Sequence, residues 1–153
     1  MKLAEALQER ADLRRLIGQL ETRIVNNAQI AQGTKPTEDP TELIRSLDGA
    51  MDRLAALITA INGTNSATVV DGKTLTEWIA HRDTLKEKIE IYRLLVNEAS
   101  EVRRRMTHSE ILIVPAVDVP ALNKQTDTMA KELRLVDNRI QSANWTTELI
   151  GLD

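Results

Sequence analysis

Apolar side chains recur at three- and four-residue intervals in four stretches of the chain, the spacing that places them on one face of an α-helix. These stretches run over residues 2–29, 40–62, 74–105 and 118–145, to within a few residues at each end. Polar and charged side chains occupy the intervening positions. The pattern therefore predicts four long amphipathic helices, each with a narrow apolar stripe that must be buried against another helix.

The clearest repeat belongs to the second helix, because its apolar residues follow a strict heptad spacing. They are Ile44, Leu47, Met51, Leu54, Ile58 and Ile61. The third helix carries Leu75, Trp78, Ile79, Leu85, Ile89, Tyr92, Val96 and Ala99. Such thin stripes are typical of the seams between paired helices.

Local signals mark the predicted helix ends. Thr74 and Glu77 form a capping box, in which the Thr hydroxyl accepts from a backbone N–H three residues on and the Glu carboxylate accepts from the Thr N–H. Asp39 and Asp118 are candidate N-caps, each followed closely by a proline. The polar cluster at residues 62–66 contains a glycine and predicts the end of the second helix.

Two irregular connections, one after residue 62 and one after residue 105, contain β-branched patches. The patches at residues 68–70 and 110–114 are candidates for short extended segments that pair within a subunit or between subunits. An Asp71-Gly72 turn follows the first patch. The tail after residue 146 is expected to fray or to pack.

Together these elements predict an all-α fold, an antiparallel bundle of four long helices that forms one domain over residues 1–153. Hydrophobic residues make up 42% of the chain and Phe is absent, so the core must consist of Leu, Ile, Val, Ala and Met. Long helices with narrow apolar stripes leave some apolar surface exposed when they pack within one subunit. We therefore expect a homo-oligomer, most simply a two-fold dimer.

Charge and composition exclude several function classes. The 23 acidic and 20 basic residues give a net charge of −3 and no broad positive field, so no nucleic-acid partner is predicted. The basic run 103–105 is explained by its position at the end of a helix, where the dipole favours cations. The chain has no cysteine, and it lacks a secretion signal and a membrane-spanning stretch. These features predict a cytoplasmic protein with no membrane partner and no cofactor.

Three segments resemble the septicolysin-like family of small bacterial proteins: NNAQIAQGTKPTEDP, INGTNSATVVDGKTLTEWIAHRD and VDVPALNKQTDTMAKELRLVDNRIQSANWTTEL. The resemblance covers almost the whole chain and implies a helical fold with little defined chemistry. The family name implies membrane lysis. The residues themselves do not predict membrane lysis, since the chain has no cysteine, no secretion signal and no hydrophobic insertion segment.

In an up-down-up-down bundle, polar residues from all four helices gather towards one end. The candidate ligand-binding residues are Arg10, Asn62, Asn65, His81, Arg82, Asp83, Asn138, Arg139, Asn144 and Trp145. Arg10 and Arg82 fall on apolar stripes and need acceptors, for which Asp83, Asp137 and Asn138 are candidates.

Two interpretations of this cluster stay open. It sets the register of the helices as a polar layer, or it binds a small anionic ligand through its arginines. His81 and Asp83 are the plausible acid–base groups, and the sequence leaves open whether the protein is an enzyme. Glu77 shares a helix face with His81, but it is used by the capping box, so no metal is predicted.

The favoured function is that of an oligomeric interaction or scaffold protein. A protein or enzyme that binds a small anionic ligand at the polar end is the alternative, and a membrane-lytic protein is the least favoured. The sequence predicts an architecture in more detail than an activity.

Overall fold

The structure is a computed structural model that describes residues 1–101 and 112–152. These ranges contain four α-helices, which are α1 (Leu3–Asn26), α2 (Pro40–Ala67), α3 (Leu75–Ser100) and α4 (Val119–Thr146). A hairpin of two short strands, β1 (Val69–Val70) and β2 (Lys73–Thr74), links α2 to α3. The predicted all-α fold with four long helices is confirmed.

The chain forms two compact units. Unit 1 comprises residues 1–75 and 141–153, and unit 2 comprises residues 76–140. The prediction of one domain over residues 1–153 stays a prediction.

Unit 1 is built on an antiparallel pair formed by α1 and α2, in which the start of α1 packs against the end of α2. Its buried cluster joins the start of α1, the end of α2, the first residue of α3 and the end of α4. The members are Leu3, Ala6, Leu57, Ala60, Ile61, Leu75, Ala143 and Leu149. Four helix termini therefore meet in one core, as the up-down-up-down order predicts.

The C-terminal tail packs onto this core rather than fraying. The Leu3 N–H donates to the Thr147 carbonyl at 2.9 Å, and the Leu149 N–H donates to the Met1 carbonyl at 2.8 Å. The Lys2 ammonium and the amino terminus both pair with the Glu148 carboxylate. The two ends of the chain thus hold each other in place.

The predicted end of α2 at residues 62–66 is wrong, because the helix continues to Ala67. Thr64 is fully buried, and its hydroxyl donates to the Ala60 carbonyl at 2.8 Å. Among the described residues, nothing outside the local helix backbone lies within 4 Å of the position that a Cβ would occupy at Gly63. Burial of Ile61 and Thr64 outweighs the weak helix propensity of glycine and asparagine here.

The predicted Asp71-Gly72 turn is confirmed. Both residues have positive φ, 48° and 82°, which is the geometry of a tight two-residue hairpin turn. Val69 pairs with Thr74 and Val70 with Lys73. The first β-branched patch therefore pairs within its own hairpin. In the second patch, residues 110 and 111 lie outside the described residues, and residues 112–114 are not in a strand.

Unit 2 is an antiparallel pair formed by α3 and α4, with Leu85, Ile89 and Met129 buried between them. The helix α3 starts after Thr74 as predicted and ends at Ser100, whereas the prediction extended it to Arg105. The basic run 103–105 lies outside the described residues. At the start of α4 the Asp118 carboxylate accepts from the Ala121 N–H at 3.1 Å, which confirms the predicted N-cap.

Candidate functional site

The predicted site residues are divided between the two units. Five of them belong to unit 1: Arg10, Asn62, Asn65, Asn144 and Trp145. Asn62 is exposed and Asn65 is half-buried on the last turns of α2. On α4, Asn144 is buried with 6% of its surface accessible, whereas its neighbour Trp145 is 64% exposed. Arg10 is half-buried and forms no ion pair with the residues that the structure describes.

The other five lie in unit 2, where the structure brings His81, Arg82, Asp83, Asn138 and Arg139 onto the first half of α3 and the last half of α4. Arg82 Nε lies 2.9 Å from Asp83 Oδ1, and its Nη1 lies 3.8 Å from Asp137 Oδ1. Of the candidate acceptors for Arg82, Asp83 and Asp137 are therefore confirmed. Asn138 is exposed.

A second polar group in unit 2 surrounds Trp78, which is buried in the first turns of α3. The Arg139 guanidinium lies 4.4 Å from the centre of the Trp78 ring, a cation–π contact. The His81 ring meets Trp78 edge to face at 6.3 Å. His81 Nε2 also lies 2.9 Å from Glu132 Oε1 on α4. These contacts tie α3 to α4 and occupy the imidazole that the sequence offered as an acid–base group.

A cavity of about 520 Å³ opens on the surface of unit 2 beside Arg82. Its lining consists of Arg82, Asp83, Lys86, Leu133, Arg134 and Asp137. The two carboxylates pair with Arg82, but Lys86 and Arg134 form no ion pair with any residue in the described ranges. Two cations without ion pairs, beside an arginine whose position is fixed by its acids, form an arrangement that can bind an anion.

Sequence reasoning missed Lys86 and Arg134 as members of this cluster. Lys86 stands four residues after Arg82 and therefore lies on the same face of α3. That spacing was available in the sequence. The approach of Arg134 depends on the register between α3 and α4, which the sequence does not specify.

The apolar stripe of α2 forms the second candidate site. The residues that α2 buries include Leu43, Ala50, Leu54, Leu57 and Ile61, a face shifted from the predicted heptad. Leu54 and Ile61 belong to both sets, while Leu47 and Ile58 are only half-buried. Ile44 and Met51 are each 46% exposed. The helix therefore has a wide apolar sector, and one edge of it remains accessible.

The opposite edge of α2 is closed by an ion pair with α1. Arg53 donates to the two carboxylate oxygens of Glu9 at 2.7 and 3.0 Å. This contact holds the pKa of Glu9 below its usual value, against a smaller effect of desolvation that raises it. Arg53 and Met51 are two residues apart, so their side chains point about 200° apart around the helix.

Neither a metal-ligand cluster nor a membrane-spanning helix occurs in residues 1–101 and 112–152. No group of three or more His, Cys, Asp or Glu side chains in these ranges is arranged to hold a metal ion. No helix there combines the length and the apolar character needed to cross a membrane.

Residues 10–149 match the model of a family of unknown function, DUF6847, and the chain belongs to that family. It is also similar to a protein of known crystal structure, described as a functionally unknown conserved protein from Corynebacterium diphtheriae. The two share 35% sequence identity with a TM-score of 0.90, over 97% of this chain and 98% of that chain. No curated protein matches the chain.

These relationships support the helical fold of the whole chain. They do not indicate an activity, because the family and the protein of known structure are both of unknown function. Neither bears on the resemblance to the septicolysin-like family, which stays a prediction. The function must therefore be argued from the two candidate sites.

Proposed function

We propose that the protein is an oligomeric helical interaction protein, and that its basic form is a two-fold homodimer. The observation that carries this proposal is the accessible apolar stripe on α2, where Ile44 and Met51 are each 46% exposed. Covering such a stripe removes apolar surface from water, which contributes about 25 cal/mol for each Å² buried. A second copy of the chain supplies a cover with matching spacing.

The same proposal accounts for the half-burial of Leu47 and Ile58. Each side chain keeps part of its surface accessible within its own subunit. In a paired assembly such residues complete a seam between helices. We place this assembly in the cytoplasm, since the chain has no cysteine and so no need of an oxidising compartment.

Analytical ultracentrifugation of the wild type and of Met51→Glu tests the proposal. The wild type should dimerise, and Met51→Glu should weaken self-association by about 100-fold, because an unpaired carboxylate in an apolar interface costs several kcal/mol. Ser46→Glu is the matched control, since Ser46 is an exposed residue of α2 that lies off the stripe. Equal association by all three proteins would contradict a role for the stripe.

A second candidate function is the binding of a small anionic ligand at the Arg82 cavity. It is supported by Lys86 and Arg134, which line the cavity without forming ion pairs among the described residues. In this form the ligand site consists of Arg82, Lys86 and Arg134 rather than the whole predicted cluster. Arg82 anchors the site, and Asp83 and Asp137 fix its guanidinium.

Isothermal titration with inorganic pyrophosphate tests the anion site. The wild type should bind the probe, and Arg134→Gln should weaken binding about tenfold or more, as expected for the loss of one charge-assisted contact. Arg10→Gln serves as a control, because Arg10 belongs to unit 1 and does not line this cavity. Binding that is unchanged in Arg134→Gln, or that is lost equally in both variants, would remove this candidate.

Membrane lysis is the least supported function, since it rests on the family resemblance alone. Dye leakage from anionic vesicles at micromolar protein would support it. An intact vesicle population at that concentration would exclude it.

A further inference from the structure

We propose that a groove between α3 and α4 binds a small, planar aromatic carboxylate. This Tyr92 groove has a volume of about 500 Å³, and its lining includes Lys88, Tyr92, Lys124, Gln125, Thr128 and Met129. It is separate from the Arg82 cavity, which Lys86 lines. Lys86 and Lys88 are two residues apart, so their side chains point about 200° apart around α3. The two sites therefore lie on different sides of that helix.

The floor of the Tyr92 groove is apolar and continuous with the core of unit 2. Met129 is buried in the cluster that contains Leu85 and Ile89, and the half-buried Tyr92 packs against that cluster. A thioether and a phenol ring are both favourable partners for an aromatic ring, through sulfur–aromatic and offset ring contacts. The floor therefore favours a ligand with a flat, apolar body.

Two lysines from different helices stand beside this floor. The Lys88 ammonium lies 5.7 Å from the centre of the Tyr92 ring, and Lys124 is exposed on α4. Neither lysine forms an ion pair with a residue in the described ranges, and no acidic side chain from those ranges lines the groove. A carboxylate on the ligand would supply the missing negative charge through charge-assisted hydrogen bonds.

The polar neighbours leave these lysines available. Glu132 stands four residues after Thr128 and so shares its face of α4, but its carboxylate lies 2.9 Å from His81 Nε2. The Thr128 hydroxyl donates to the Lys124 carbonyl at 3.0 Å, a contact that leaves the Lys124 ammonium free. Gln125 is exposed beside Lys124, and its amide can donate a further hydrogen bond to a bound carboxylate.

Floor and charge together define the class of ligand. An inorganic anion would use the lysines and leave the apolar floor in water. A neutral aromatic compound would cover the floor and leave both ammonium groups without a counter-charge. An aromatic acid satisfies both parts of the groove at once, because its ring and its carboxylate lie in one plane a few ångströms apart.

The chain has a single tyrosine, and it lies in this groove, so its ring resonances in NMR spectra report binding directly. Titration of the wild type with 2-naphthoate should shift these resonances saturably. We expect a dissociation constant of about 0.1–1 mM for a ligand of this size. 2-Naphthalenemethanol, which has the ring without the charge, should bind about fivefold more weakly or less. Acetate, which has the charge without the ring, should produce no saturable shift.

Matched lysine variants locate the carboxylate. Lys124→Gln should weaken the binding of 2-naphthoate about fivefold, the upper range for an exposed charge pair. Lys131→Gln is the control for net charge, because Lys131 is an exposed lysine of α4 that does not line the groove. Lys86→Gln tests whether the ligand occupies the Arg82 cavity instead. Both control variants should bind like the wild type.

Several outcomes would overturn this site. One is the absence of a saturable Tyr92 shift at ligand concentrations up to about 10 mM. Others are equal affinities for 2-naphthoate and 2-naphthalenemethanol, equal affinities of Lys124→Gln and Lys131→Gln, and a loss of binding in Lys86→Gln that exceeds the loss in Lys124→Gln. Circular dichroism confirms that each variant is folded. The proposed homodimer is tested separately, since the groove belongs to α3 and α4 and the apolar stripe belongs to α2.

Discussion

The Thr64 hydroxyl accepts a hydrogen bond from the backbone N–H of Ile150 at 2.9 Å, so the C-terminal tail is fastened to the interior of α2. The same hydroxyl donates to the Ala60 carbonyl one helical turn earlier. Thr64 is 0% exposed, and water therefore cannot replace either bond. This residue lies in the segment that the sequence pattern marks as the end of the helix.

Replacing Thr64 with valine should destabilise the protein by about 1–3 kcal/mol, because the Ile150 N–H loses its acceptor in a partly buried position. Valine keeps the shape of threonine, so the loss reports the hydroxyl. Urea denaturation followed by circular dichroism measures the change. Thr64→Ser keeps the hydroxyl and should retain more of the stability than Thr64→Val; the reverse order would show that the methyl group matters more than the bond to the tail.

The Glu9–Arg53 ion pair should make stability depend on pH. Hydrogen bonds from Arg53 lower the pKa of Glu9 in the folded state below its value in the unfolded chain. The carboxylate then stabilises the fold above the ordinary glutamate pKa of about 4.3, and this contribution is lost as the pH falls through the lower folded-state pKa. Wild type and Glu9→Gln should therefore differ most in free energy of unfolding near neutral pH, and the difference should shrink as the pH falls through the folded-state pKa of Glu9.

Denaturant titrations of both proteins at several pH values measure this convergence. Asp12→Asn is a suitable control, because Asp12 pairs with Arg15 and accepts a hydrogen bond from Gln8, both on the exposed surface of its own helix. A constant difference between wild type and Glu9→Gln from neutral to acid pH would contradict the assigned coupling.

The N-cap of α4 should contribute measurably to stability. The Asp118 carboxylate satisfies the Ala121 N–H in the first turn, where a negative charge also favours the helix dipole. Asp118→Ala should therefore cost about 0.5–2 kcal/mol. Asp118→Asn keeps the hydrogen bond and should cost less, and thermal denaturation of the two variants distinguishes them. Equal stability of wild type and Asp118→Ala would mean that the cap is dispensable.

The helices of this protein are predictable from sequence because their apolar periodicity is regular. The starts at Asp39 and Asp118 are predictable for a different reason, since an acidic cap followed by proline has a local physical basis. The end of α2 is not predictable in this way. Tertiary burial of Ile61 and Thr64 extends the helix through Asn62 and Gly63, whose intrinsic preferences oppose it.

The two candidate sites are also only partly predictable from the sequence. Pairing of Arg82 with Asp83 and Asp137 follows from the need to compensate a charge on an apolar stripe. Whether Arg134 lines the cavity beside Arg82 depends on how α4 is aligned with α3, and this alignment is a property of the packed pair. The heptad spacing predicts the α2 stripe, but its division into a buried and an accessible edge depends on where α1 packs.

Sedimentation equilibrium of the wild type, over a concentration range from about 1 to 100 µM that brackets a micromolar dissociation constant, tests the central claim most directly. The account predicts an average mass that rises with concentration from that of one chain towards that of two, and a loss of this rise in Met51→Glu. A mass equal to one chain at every concentration would contradict the homodimer and the α2 interface with it.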